Sequence, residues 1–153
     1  MHRDLKPENI LCEDSTDLGE DELHIKLCDF GLSTKYDPDE MCLDGCGSYR
    51  YFSPELARGD GFGPKIDVWA VGVITYMLLA QKYPFYDKSG SRDERMRRNN
   101  VKRHILFGEP NYGDETKNVS PQALEFIRLC FTKDVDQRPS AAQLLESAWM
   151  QTL

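Results

Sequence analysis

The chain has 153 residues, 40% of them apolar and 29% charged, with a formal net charge of −7. That length suffices for one domain with a hydrophobic core, and the acidic balance argues against a general nucleic-acid binder, which carries a basic surplus or stripe. The five cysteines, Cys12, Cys28, Cys42, Cys46 and Cys130, lack the paired short spacing of a zinc site or disulfide framework, so reduced thiols in an intracellular, cytoplasmic protein are expected. No leader with a charged start and apolar centre is visible. The longest apolar run, 68–80, is too short to span a bilayer and follows Asp67; it predicts a buried core helix.

In chain order, residues 10–12 and 24–28 are short strand-like runs flanking a polar loop, which predicts a small β hairpin. Between them Glu13, Asp14, Asp17, Glu20, Asp21 and Glu22 form an acidic insert with no basic residue. A solvated loop is expected there, and the glycine that a calcium-binding loop needs at its sixth position is missing. Residues 29–55 are aperiodic and rich in Gly, Asp and Pro, as a long functional loop would be. Residues 66–79 are apolar on nearly every face, which places that helix at the centre of the fold with other helices around it.

Residues 92–107 predict an exposed helix with a weak apolar stripe. Its run of Arg92, Arg95, Arg97, Arg98, Lys102 and Arg103 is either a solvated face or a docking surface for an acidic partner or regulatory segment. Nucleic-acid binding is disfavoured because no aromatic residues interleave the arginines. Ser120 and Pro121 predict an N-cap and first helical residue, with Leu124, Ile127 and Phe131 on one face. Ser140 to Gln143 reads as a capping box ahead of a final helix carrying Leu144, Leu145, Ala148 and Trp149. Nothing suggests a repeat or a second domain.

Three motifs carry the chemistry. His2-Arg3-Asp4-Leu5-Lys6-Pro7-Glu8-Asn9 opens the chain, Asp29-Phe30-Gly31 follows the second strand, and Ser53-Pro54-Glu55 closes the aperiodic segment. In this order they resemble the H-R-D-L-x-x-x-N, D-F-G and A-P-E signatures of protein kinases, with Ser in place of Ala. The resemblance extends over essentially the whole chain. It implies a protein-kinase-like fold, mainly α with a small β hairpin. Residues 1–153 would form the C-terminal lobe from catalytic loop to final helix, with 29–55 as the activation segment.

The implied reaction is transfer of the ATP γ-phosphoryl group to a protein serine or threonine, with Mg2+ as cofactor. By resemblance Asp4 is the catalytic base, Lys6 a positive charge near the transferred phosphate, and Asn9 and Asp29 the magnesium ligands. Glu8 and Leu11 belong to the nucleotide side, Leu11 as the apolar floor under the adenine. Lys6 in its K-P-E-N tetrapeptide points to the serine/threonine class. Ser48 falls where that class has a hydroxyl residue bonded to both Asp4 and Lys6. His2 and Phe30, beside Gly31, match members of a stacked spine; Asp67 matches a residue holding the catalytic-loop backbone; Glu55 and Arg138 match a buried ion pair. The closest subgroup resemblance is to calcium/calmodulin-regulated kinases, in particular the calcium-dependent kinases of plants and protists.

Arg3 marks the kinases in which an arginine meets a phosphorylated loop residue. Asp44 aligns with an activating threonine of that group. It is either a built-in substitute for phosphorylation or one more solvated acid beside Asp37, Asp39 and Glu40. The expected partner is a protein or peptide substrate, basic on the ground of the chain's net charge, together with a possible regulatory segment outside these residues; neither nucleic acid nor a membrane span is expected. The glycine-rich loop, strand lysine and helix glutamate of a kinase do not occur in residues 1–153, which by themselves are therefore expected to be incompetent. The competing class is a non-catalytic binding or scaffold product derived from a kinase lobe.

Overall fold

The computed structural model describes residues 1–13, 24–40 and 42–152. After a 3-10 turn at Pro7–Asn9, strands β1 (Ile10–Cys12) and β2 (Ile25–Leu27) pair antiparallel, Leu11 opposite Lys26. The hairpin is the predicted one with a shorter second strand, and β2 is exposed along its length. Most of the acidic insert lies outside the described residues. Its first member, Glu13, pairs with Lys26 at 2.7 Å.

The aperiodic segment contains two 3-10 turns, Phe30–Leu32 and Tyr49–Tyr51, and closes on a helix that sequence reading did not anticipate, α1 (Pro54–Arg58). Pro54 at its first position and Gly59 in the left-handed region just past its end, φ 82°, set its limits. A backbone bond from Phe62 to Cys42 (3.1 Å) ties the middle of the segment to the chain beyond α1.

The central helix α2 (Lys65–Ala80) buries Ile66, Val68, Trp69, Ala70, Val73, Ile74 and Tyr76, as its apolar faces require. Leu78 and Leu79 are the exceptions, 72% and 40% exposed at the helix end. Trp69 stacks on Phe85 (5.4 Å, 16°) and lies 5.1 Å from Phe131. Helix α3 (Glu94–Phe107) starts two residues later than expected because Asp93 caps it, accepting the Arg95 amide at 2.9 Å. Only Val101 and Ile105 are buried along it.

Helix α4 (Pro121–Cys130) is capped by Ser120; of the expected face Ile127 and Phe131 are buried and Leu124 is half-buried, and Ala123, Phe126 and Cys130 are buried as well. Close packing against α2 decides this. A Cβ on Gly72 would come within 2.5 Å of the Cys130 Cβ, so only glycine lets the two helices approach so nearly. The capping box of Ser140 and Gln143 is formed, yet α5 (Ala141–Leu145) is five residues long. The chain then turns so that Trp149 meets Phe126 edge-on at 5.0 Å. That contact excludes Ala148 and Trp149 from the predicted helix. The architecture is mainly helical around α2, with one two-stranded sheet. No helix among the described residues is long and apolar enough to cross a membrane.

Candidate active site

Residues 1–6 run irregularly past the N-terminal end of α2, where Asp67 faces them. Its carboxylate accepts the His2 amide at 2.6 Å and the Arg3 amide at 2.9 Å. Arg3 has φ 71°, a left-handed conformation that costs a non-glycine residue about 1–2 kcal/mol. Two charge-assisted bonds to one carboxylate offset that cost. From the other side the segment after Phe30 clamps the same stretch. Thr34 donates its amide to the Met1 carbonyl (3.1 Å), the Ser33 hydroxyl donates to the His2 carbonyl (3.3 Å), and Arg3 Nε donates to the Leu32 carbonyl.

This clamp presents the Asp4 side chain, which is buried. Oδ2 accepts from Lys6 Nζ at 2.7 Å and Oδ1 accepts the Ser48 amide at 2.8 Å. Lys6 also donates to the Ser48 hydroxyl at 3.3 Å. Burial pushes the Asp4 pKa up, but the bonds from Lys6 and Ser48 and the Lys6 charge outweigh it, so the carboxyl sits below its ordinary value. Lys6 is correspondingly raised, chiefly by its bond to Asp4. Asp4 is therefore an ionised, doubly held acceptor at neutral pH. Ser48 reaches it because Gly47 precedes: with φ 98°, a Cβ there would sit 2.5 Å from the Arg3 carbonyl oxygen.

Asn9 is buried at the end of the 3-10 turn and donates Nδ2 to the Asp4 carbonyl at 2.9 Å. Its Oδ1 accepts no bond among the described residues. Asp29 is exposed, left-handed at φ 59°, and accepts one long bond from the Gly31 amide, 3.4 Å. Both side chains thus keep oxygen donors free, the hard ligands that Mg2+ takes. Among the described residues no cluster of three or more His, Cys, Asp or Glu could hold a metal by itself. The donor set therefore fits an ion that keeps water or phosphate oxygens in its remaining positions.

His2 links the two halves of the site. Nε2 donates to the Cys28 carbonyl (3.0 Å), which leaves Nδ1 to face the Asp4 amide at 3.4 Å. Its ring lies 5.1 Å from that of Phe30, which is 59% exposed. Leu11, expected as an apolar floor, is 52% exposed on the hairpin, and Glu8 is exposed beside it.

Farther out, Glu55 and Arg138 form a buried two-pronged pair at 2.8 and 2.9 Å. Arg138 also donates to the carbonyls of Thr132 and Lys65, both at 2.9 Å, and stands over Trp69. Burial raises the Glu55 pKa, and the Arg138 bonds and charge more than reverse it, holding the carboxyl below its usual value. Asp44 is exposed and makes no ion pair with Arg3 among the described residues; one donor of the Arg3 guanidinium, Nε, goes to the Leu32 carbonyl.

Sequence reasoning missed Arg50. Half-buried two residues past Ser48, it stands over the rings of Tyr49 (5.3 Å) and Tyr83 (4.8 Å). The available signal was an arginine between two tyrosines inside a segment otherwise assigned to function. A cleft of about 560 Å³ adjoins it and is lined also by Lys6, Asn9 and Ser48.

A family model described as "Protein kinase domain" matches residues 1–150. The chain is 39% identical over 150 residues to a probable myosin light chain kinase of Dictyostelium discoideum, covering 97% of this chain and 40% of that protein. It is 37% identical over 154 residues to the skeletal/cardiac muscle myosin light chain kinase 2 of Rattus norvegicus, covering 100% of this chain and 23% of the relative. Against calcium-dependent protein kinase 34 of Arabidopsis thaliana it is 38% identical over 152 residues, covering 98% and 26%. The chain thus spans two-fifths or less of the length of these relatives, and the myosin light chain kinases stand level in identity with the calcium-dependent kinase.

Proposed function

The chain belongs to the protein kinase domain family, and from that membership we propose that the protein transfers the γ-phosphoryl group of ATP to serine or threonine hydroxyls of protein substrates. Residues 1–153 then correspond to the C-terminal lobe, with 29–55 as its activation segment. The observation that carries the reading is the ionised Asp4 carboxylate, fixed between Lys6 and the Ser48 amide. A depressed pKa makes Asp4 a weak base. Its work is to orient the substrate hydroxyl and take the proton late, which suits a transfer whose transition state asks mainly for positioning and charge. Lys6, bound to Asp4 and to the Ser48 hydroxyl, places positive charge where the transferred phosphoryl gains negative charge.

Asn9 Oδ1 and the Asp29 carboxylate would hold Mg2+, which neutralises phosphate charge when bound. Asn9 is pre-oriented for this by giving its Nδ2 to the Asp4 carbonyl, so base and ligand move as one unit. Serine/threonine specificity is supported by Lys6, bound to both Asp4 and Ser48. The test is Mg2+-dependent phosphorylation of serine and threonine peptides by the full-length protein, with Asp29→Asn alongside. Loss of both magnesium-dependent nucleotide binding and turnover in the variant is expected. Unchanged magnesium dependence would remove Asp29 from the proposed role.

A further inference from the structure

Whole-chain charge suggested a basic substrate, but the charge beside Asp4 has the opposite sign. Arg50 has its guanidinium held over two tyrosine rings and makes no hydrogen bond or ion pair among the described residues. Arg98, from α3, lines the same cleft, 5.9 Å from the Tyr49 ring centroid, and has no carboxylate partner among the described residues either. The neighbouring carboxylates do not cancel the pair. Glu94 is engaged by Arg97 and by the Tyr49 hydroxyl (3.0 Å), and Asp4 is taken by Lys6. Glu8 alone lines the cleft as an uncommitted acid. In a chain of net charge −7, this is a local positive field at the mouth of the site.

The two tyrosine rings hold the guanidinium carbon within 5.3 and 4.8 Å while leaving its five N–H donors unused among the described residues. Such a group is arranged to receive an anion, because a planar fork binds a carboxylate with two parallel bonds and little further ordering. We propose that Arg50, assisted by Arg98, binds an acidic side chain of the peptide substrate next to the acceptor residue. The inference rests on the phosphotransferase reading for what it calls substrate, but not for the binding itself. Lys102, which stands over Phe52 at 5.7 Å, extends the same basic surface along α3 and would favour further acidic residues.

The test is binding of fluorescein-labelled peptides to the full-length protein, with alanine at the acceptor position so that turnover plays no part. Peptides carrying flanking Glu, Gln or Arg are compared by anisotropy. The Glu peptide should bind about tenfold more tightly than its Gln counterpart, since hydrogen bonds to a charged group are worth about that much. Arg50→Gln should erase the difference, Arg98→Gln should reduce it, and Arg50→Glu should shift preference to the Arg peptide. That reversal cannot arise from simple loss of folding. Equal binding of Glu and Gln peptides, or weakening of all three alike in Arg50→Gln, overturns the proposal. A protein that selects the Glu peptide through Arg50 yet phosphorylates nothing keeps this inference and loses the phosphotransferase reading. One that phosphorylates serine peptides regardless of flanking Glu does the reverse.

Discussion

Arg3 is held in a left-handed backbone conformation, φ 71°, by the carboxylate of Asp67, which takes its amide at 2.9 Å across 64 residues of sequence. The same carboxylate takes the His2 amide, so one side chain at the start of α2 sets the path of the chain into Asp4. Asp67→Ala leaves both amides without their acceptor and should lower stability by about 1–3 kcal/mol. Turnover should fall further than stability, since small displacements of a reacting group cost up to about 10²-fold. Urea unfolding and steady-state kinetics on the same preparation check this. An Asp67→Ala protein with normal turnover would show that Asp4 is positioned by other contacts.

The Glu55–Arg138 pair predicts a pH signature. The folded pKa of Glu55 lies below its ordinary 4.5, so its stabilising contribution is complete above that pH and is lost as pH falls through the lower folded value. Wild-type stability should therefore decline below pH 4.5, with Asp4 adding to the decline below its ordinary 3.8. Glu55→Gln should cost about 3–5 kcal/mol near neutrality, because it leaves a buried guanidinium without its counter-charge, and should flatten the acid limb. Denaturant midpoints across pH 3 to 7 measure both. An unflattened limb would assign the acid sensitivity elsewhere.

Much of the site was legible because its residues come in contiguous runs: Asp4 to Asn9 and Asp29 to Gly31 each fold onto themselves through short turns. The caps at Ser120 and Ser140 were legible for the same local reason. What escaped depended on contacts remote in sequence. The added burial of Cys130 on α4 follows from its close approach to Gly72, and α5 stops early because Trp149 turns back to Phe126. Arg50 acquires its setting from Tyr83, which no pattern around residue 50 announces.

One patch of apolar exposure lies where the hairpin and the start of the aperiodic segment meet. Leu11, Ile25, Leu27 and Phe30 are each 45–59% exposed, and the hairpin carries apolar side chains on both faces. A two-stranded sheet of this kind is marginal without a covering element. Residues 1–153 expressed by themselves should accordingly self-associate and bind a hydrophobic dye, and should not turn over peptide substrate. A monodisperse monomer by light scattering with robust phosphotransfer would refute this.

In the proposed mechanism Asp4 acts on the substrate hydroxyl and not on the nucleotide or its metal. Asp4→Asn keeps the shape of the side chain while removing the charge held by Lys6 and Ser48. In the full-length protein it should reduce kcat by about 10²–10⁴-fold, the range for loss of a general base. The Kd for Mg-ATP should stay within about twofold, since an interaction made only in the transition state leaves ground-state binding intact. Near-normal turnover in the variant, or a loss of nucleotide affinity matching the loss of rate, would contradict the account.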